Sequence, residues 1–260
     1  MSIENPFTKE NLDECLRELG KEFRKVNGNK MPAEIILVGG AAILAKYGFR
    51  DLTYDMDAII IASSAMKDAI RKVADIKGLP PDWLNSGFKH TDSYSDKIIE
   101  ISRPYKTFSN VLHIRVVSDE YLVAMKLMSG REYKRDLSDI VGIMWELDCA
   151  KRPLTKESIE KAFYVLYGET KVMPEMSQEL FENIFTEKNY EALYKNVYEK
   201  ETQLRESLKT FEKHNPDMLR KDNIKSVIAA IKEKQRLENT VPSAQQQKKK
   251  KSKTKSREAR

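Results

Sequence analysis

The most constraining stretch of the chain is Ile35-Ile36-Leu37-Val38-Gly39-Gly40-Ala41-Ala42, with Asp55-Met56-Asp57 fifteen residues after Gly40 and then the apolar run Ala58-Ile59-Ile60-Ile61. The first run reads as a buried strand, a sharp turn and the start of a helix. The second reads as another strand with two carboxylates at i and i+2, which alternation places on one face. Two anions side by side on an apolar strand repel each other and are costly to desolvate. A divalent cation removes both problems, and Mg²⁺ suits the arrangement because it binds through one or two carboxylates plus phosphate oxygens. The glycines supply the other half. They let the backbone approach a phosphate closely, and the N–H groups opening the next helix face it.

These residues carry a family resemblance. Val38-Gly39-Gly40-Ala41-Ala42, Tyr47-Gly48-Phe49-Arg50 and Thr53-Tyr54-Asp55-Met56-Asp57 resemble the signature of the polymerase-β-like minimal nucleotidyltransferase superfamily. They look like its AbiEii-like, toxin-type branch. Leu122-Val123-Ala124-Met125-Lys126-Leu127, then Arg131, Asp136 and Asp139, are similar to that branch's lysine helix and its acidic helix. The resemblance covers residues 30–147. It implies an α+β fold of α/β-like character, a mixed sheet flanked by helices. It also implies an NTP and Mg²⁺ as ligands, with a nucleotidyl group passing to a macromolecular acceptor. RNA such as tRNA is the favoured acceptor, in a toxin–antitoxin or phage-defence setting with a cognate antitoxin as partner.

Residue roles follow from the two readings together. Asp55 and Asp57 are the expected metal ligands and catalytic carboxylates. Gly39 and Gly40 are expected to bind the nucleotide. Thr53 is either a hydrogen-bonding residue at the strand start or a β-branched residue that favours a strand. Lys126 lies in an otherwise uncharged helix, so it either snorkels to water or faces the phosphates as a cation. The resemblance places Lys126 and Asp136 among the catalytic residues, with Asp136 pairing Lys126 or binding metal. Arg131, Lys134 and Arg135 add positive charge nearby.

One departure stands out. Many nucleotidyltransferases carry a third carboxylate on a later strand, but Val111–Val117 reads Val-Leu-His-Ile-Arg-Val-Val. Glu100, in the expected strand Ile98–Ser102, is the nearest substitute. The competing reading is therefore a degenerate fold that serves as a nucleic-acid or protein binding module. His113 is expected to face outward, Trp83 to pack in the core, and Tyr190, Tyr194 and Tyr198 to line one helix face.

Charge is distributed unevenly. Residues 248–260 hold eight basic residues and one acid, a local charge of +7 against +6 for the whole chain. Residues 1–247 therefore carry 38 basic and 39 acidic residues, about neutral. The tail is expected to be disordered and able to hold nucleic acid by counterion release, without sequence preference. Three regions are expected: a nucleotidyltransferase-like domain over 1–149, a helical region over 150–239 and the basic tail over 240–260. A hydrophobic content of 40% supports a core. Cys15 and Cys149 lie too far apart for a metal or redox spacing and are expected to be buried thiols. No apolar run is long enough to span a membrane. The N-terminus lacks an export signal, so a cytoplasmic location is expected.

Overall fold

The computed structural model of the protein describes residues 6–28, 31–220 and 222–240. Helix α1 (Lys9–Asn27) opens with a reciprocal cap between Thr8 and Asn11 and buries Leu12, Leu16, Leu19 and Phe23 along one stripe. The sheet then builds from β1 (Ala33–Leu37), β2 (Met56–Ile61), β3 (Leu84–Asn85), β4 (Ser102–Phe108) and β5 (Leu112–Val117) in the order β3-β2-β1-β5-β4. Strand β1 runs antiparallel to β2 and parallel to β5. The β2–β3 pair is parallel and the β4–β5 pair antiparallel. This is the mixed sheet that the resemblance implied. The middle of the sheet is its most apolar part, with Ile35, Ile36, Leu37 and Ile114 excluded from solvent, as strands covered on both faces require.

Helices α2 (Gly39–Lys46) and α3 (Ala65–Lys77) lie between the first strands in sequence, and α3 packs on α1. Helices α5 (Asp119–Ser129) and α6 (Asp136–Cys149) follow β5 and pack on one another. Helices α7 (Lys156–Tyr167) and α8 (Glu175–Ile184) also pack on α5. The described part beyond residue 150 is entirely helical, ending in α9 (Tyr190–His214) and α10 (Ile224–Thr240). The chain resolves into two compact units, Met1–Glu201 and Thr202–Arg260. Among the described residues of the second unit, Leu204, Leu208 and Ile228 are buried apolar side chains. The basic tail 248–260 lies outside the described residues. No described helix is long and apolar enough to cross a membrane.

Several expectations are corrected. Ile98-Ile99-Glu100-Ile101 forms a single helical turn, α4, and the strand is the charged segment after it. Isoleucine content alone suggests a strand, but β4 is an edge strand and needs no apolar outer face. Pro104 is tolerated at that edge beside an irregularity between Pro104 and Lys106. The segment Pro81-Asp82-Trp83-Leu84-Asn85 reads from sequence as a short helix or turn, and its last two residues instead form the strand β3. Cys15 is buried as expected, whereas Cys149 is exposed at the end of α6. Trp83 is a core residue whose indole N–H donates to the Ile70 carbonyl at 3.0 Å.

Candidate active site

The end of β1 and the start of β2 form one corner. The Val38 N–H donates to the Asp57 carbonyl at 3.1 Å, which joins the glycine turn to the acid strand. Gly39 has φ +56°, a left-handed conformation that side chains disfavour, so the first glycine is required by the backbone. A Cβ at Gly39 would lie 3.9 Å from Asp57 Oδ2, so this carboxylate faces the turn. Gly40 is required for space. A Cβ there would lie 2.6 Å from Thr53 Oγ1 and 2.7 Å from Arg50 Nη2.

The two acids differ in setting. Asp57 is the second residue of β2 and half-buried, while Asp55 precedes the strand and is exposed. The expectation that both lie within one strand is thus half met. A backbone bridge between Phe7 and Thr53 comes first, and the chain bends through Tyr54 and Asp55 before pairing resumes. Thr53 Oγ1 lies 3.4 Å from Asp55 Oδ1 and 3.3 Å from the Asp55 carbonyl, so it supports this bend. The Asp57 carboxyl is raised above its ordinary range by burial and then by the neighbouring charge of Asp55. The positive charges of Arg131, Lys126 and Lys134 oppose that rise.

Behind the acids lies a chain of buried ion pairs. Lys126 contacts Asp136 Oδ1 and Asp139 Oδ2, each at 2.8 Å. Asp139 also pairs with Arg50, and Asp136 with Arg131 Nε at 2.8 Å. Asp136 is fully buried at the first position of α6 and accepts in addition from the Arg131 backbone N–H at 3.2 Å. Burial alone would raise the Asp136 carboxyl, but Lys126 and Arg131 outweigh it and hold the group well below the usual carboxylate range. Burial likewise works to discharge Lys126, and the two aspartates keep it charged. Three cations thus share two anions, and the excess positive charge acts on Asp57.

The structure therefore brings Gly39, Gly40, Thr53, Asp55 and Asp57 together. It connects Lys126 and Asp136 to them through Arg131 and Arg50 rather than by direct contact. Lys126 neither snorkels to water nor presents a free ammonium, because its charge is taken up by two carboxylates. Arg131 is the cation of this group that still reaches solvent, with a side chain 43% exposed. Arg50 went without a role in the sequence reading, although it sits in the quoted Tyr47-Gly48-Phe49-Arg50 segment. Only the fold places it between Gly40 and Asp139.

That segment is itself fastened to α6. The Gly48 and Phe49 N–H groups both donate to Glu146 Oε1 at 2.6 Å, and the Tyr47 hydroxyl donates to Asp119. The first part of α9 closes over the same region. Tyr194 packs edge-on against Phe49, and its hydroxyl donates to the Phe49 carbonyl at 3.3 Å. Tyr198 stacks on Tyr194, accepts from Arg135 at 2.7 Å, and carries the Arg135 guanidinium over its ring at 4.8 Å. Glu201 accepts from the Leu137 N–H at 2.9 Å and the Ser138 N–H at 3.3 Å, which caps α6. Nothing in the sequence reading pointed to Glu201.

Other candidates fall elsewhere. Glu100 is exposed on its helical turn beside Lys97. His113 is half-buried on β5 and hydrogen-bonds Thr107 at 3.0 Å. Among the described residues no three His, Cys, Asp or Glu side chains gather as a metal cluster. The acid pair nonetheless fits Mg²⁺. It offers two hard oxygen donors, one exposed and one half-buried, and among the described residues neither forms an ion pair that would compete.

A mixed sheet, a diglycine turn opening a helix and an acid pair of which Asp57 faces that turn mark a nucleotidyltransferase-type domain. The chain belongs to the family described as nucleotidyltransferase of unknown function (DUF6036), which it matches over residues 14–151. No curated protein and no solved structure matches it.

Proposed function

We propose that this protein transfers a nucleotidyl group from an NTP to a macromolecular acceptor, with Mg²⁺ held by Asp55 and Asp57. The observation that carries this reading is the Asp57 carboxylate facing Gly39 across the corner of the sheet. When bound, Mg²⁺ would neutralise triphosphate charge and orient the reacting phosphoryl group. The chain's own residues bind and position. The N–H groups that open α2 point toward the phosphates from the positive end of the helix dipole. Arg131, fixed by Asp136, offers its solvent-facing guanidinium edge to a phosphate oxygen. Lys126 and Arg50 act through Asp136 and Asp139, pairing with these carboxylates and keeping the local field positive.

RNA, such as tRNA, is the favoured acceptor. Support comes from the resemblance to AbiEii-like toxins and from the eight basic residues of 248–260, which suit a polyanion. The same resemblance favours a toxin–antitoxin setting, a cognate antitoxin partner and a cytoplasmic location. The test is incubation of the full chain with each labelled NTP, Mg²⁺ and total RNA. Label should enter RNA with at least one NTP and vanish in a folded Asp57→Asn variant. No transfer from any of the four would remove the enzymatic reading.

A second reading is a binding module that holds nucleotide without turnover. It is favoured by β5, which carries His113 and Arg115 but no acid. Nucleotide binding without label transfer, under the same conditions, selects it.

A further inference from the structure

The strand beside the acid pair is not β5. Strand β1 separates β5 from β2, and the neighbour of β2 on its other side is β3. The parallel register pairs Met56 with Leu84 and Asp57 with Asn85. Paired residues in a ladder share a face. Met56 and Leu84 are both buried, so Asp57 and Asn85 stand together on the opposite side, the side that Gly39 borders. The position next to Asp57 in the ladder carries a neutral carboxamide in place of a third acid.

That carboxamide is held in one orientation. Its Oδ1 accepts from the Gly87 N–H at 2.8 Å, and a Cβ at Gly87 would come within 2.9 Å of the same oxygen. Strand β3 is anchored just before it by buried Trp83, which packs against Phe7 and bonds the Ile70 carbonyl. The other end of the carboxamide is its NH₂ group. It makes one long contact, 3.4 Å to the Asp82 carbonyl, so a donor remains for a ligand.

We propose that Asn85 binds the nucleotide by donating from Nδ2 to one of its oxygens beside Asp57. The inference rests on the nucleotide-binding reading above. A donor suits the place. Triphosphate and ribose present acceptor oxygens, and a carboxylate at this position would set a third like charge beside Asp55 and Asp57. The site is thereby a two-acid site with an amide as its third polar group.

The test separates the donor from the turn. Aspartate forms the same side-chain turn as asparagine, so Asn85→Asp keeps the acceptor for Gly87 but replaces the N–H donor with a negative charge. Asn85→Ala removes the donor without adding charge, and weakening in both variants is the signature of a lost donor. Binding of Mg²⁺·NTP is measured by titration calorimetry for the native chain, Asn85→Asp, Asn85→Ala and Asp57→Asn, with thermal melting as the folding control. Asn85→Asp is expected to melt like the native protein and to bind about tenfold more weakly or worse. Asn85→Ala should also weaken binding. A parallel arm with Mg²⁺·tripolyphosphate tells the oxygens apart: weakening there assigns the donor to phosphate, and weakening with NTP alone assigns it to the sugar or base. Native affinity in Asn85→Asp would leave the residue a turn former and overturn the proposal. Tighter binding would do the same, by making the position a third metal ligand. If Asp57→Asn also binds like the native chain, the nucleotide site itself has been misassigned and both readings fall.

Discussion

Lys126 and Asp136 meet at 2.8 Å where both side chains are buried, and each has a further charged partner, Asp139 for the lysine and Arg131 for the aspartate. The lysine expected to touch phosphate is instead the centre of an ion-pair chain that runs from Arg50 to Arg131. Its removal is therefore first a question of stability. Lys126→Met leaves two buried carboxylates short of a cation and should lower unfolding free energy by about 3–5 kcal/mol. Urea denaturation measures this. A loss below about 1 kcal/mol would contradict the network described here.

Gly40→Ala should disrupt the corner without touching the core. Its methyl group would fall 2.6 Å from Thr53 Oγ1 and 2.7 Å from the Arg50 guanidinium, displacing Arg50 from Asp139. A loss of about 1–3 kcal/mol is expected, together with weaker Mg²⁺·NTP binding. Gly39→Ala strains the backbone at φ +56° and should cost about 1–2 kcal/mol. Melting temperatures and calorimetric binding read both.

Acid should weaken Mg²⁺-dependent nucleotide binding before it unfolds the protein. Asp57 titrates above the ordinary carboxylate range because it is half-buried and lies beside Asp55, so it takes up a proton earlier as pH falls. Asp55→Asn removes the like charge and should move the Asp57 titration to lower pH, read by NMR of the carboxyl carbon in the free protein. A chelator should abolish nucleotide binding in the native chain and change nothing in a double Asp55→Asn/Asp57→Asn variant.

Glu201 should make stability fall with rising pH. Its carboxyl is pushed up to about 8 by burial, and the charges of Asp139 and Asp136 add to the shift against the hydrogen bonds from Ser138 and Leu137. The unfolded group titrates near 4.5, so the native state binds more protons between these values. The stabilisation is complete below the unfolded value and is lost as pH rises through the folded one. One group sets a slope of at most about 1.4 kcal/mol per pH unit across that window. Glu201→Gln should flatten it while keeping the cap on α6, as followed by denaturation at several pH values.

How far these groups were visible in the sequence depended on how local their causes are. The glycine turn, β1, β2 and helices α1, α5 and α7 follow from hydrophobic period and caps, which act over a few residues. Thr155 and Ser158, for example, form the reciprocal cap of α7 that their spacing suggests. Strand β3 was illegible, since two residues carry no period. Segment β4 gave no strand signal, since an edge strand is under little pressure to be apolar. Glu201 and Arg50 gave no signal because each acts on a segment distant in the chain, 63 residues away from Ser138 and 89 from Asp139.

The order of residues by itself determined the corner: an apolar strand ending in two glycines, and an acid pair beside it, of which Asp57 faces the turn. Backbone sterics and charge repulsion are short-ranged, so a dozen or so residues suffice to specify them. Which cation pairs with which acid, and which residue stands beside Asp57, was decided only by the tertiary structure. Burial raised the cost of every unpaired charge. Strand order then placed Asn85, rather than any residue of β5, next to the catalytic candidate.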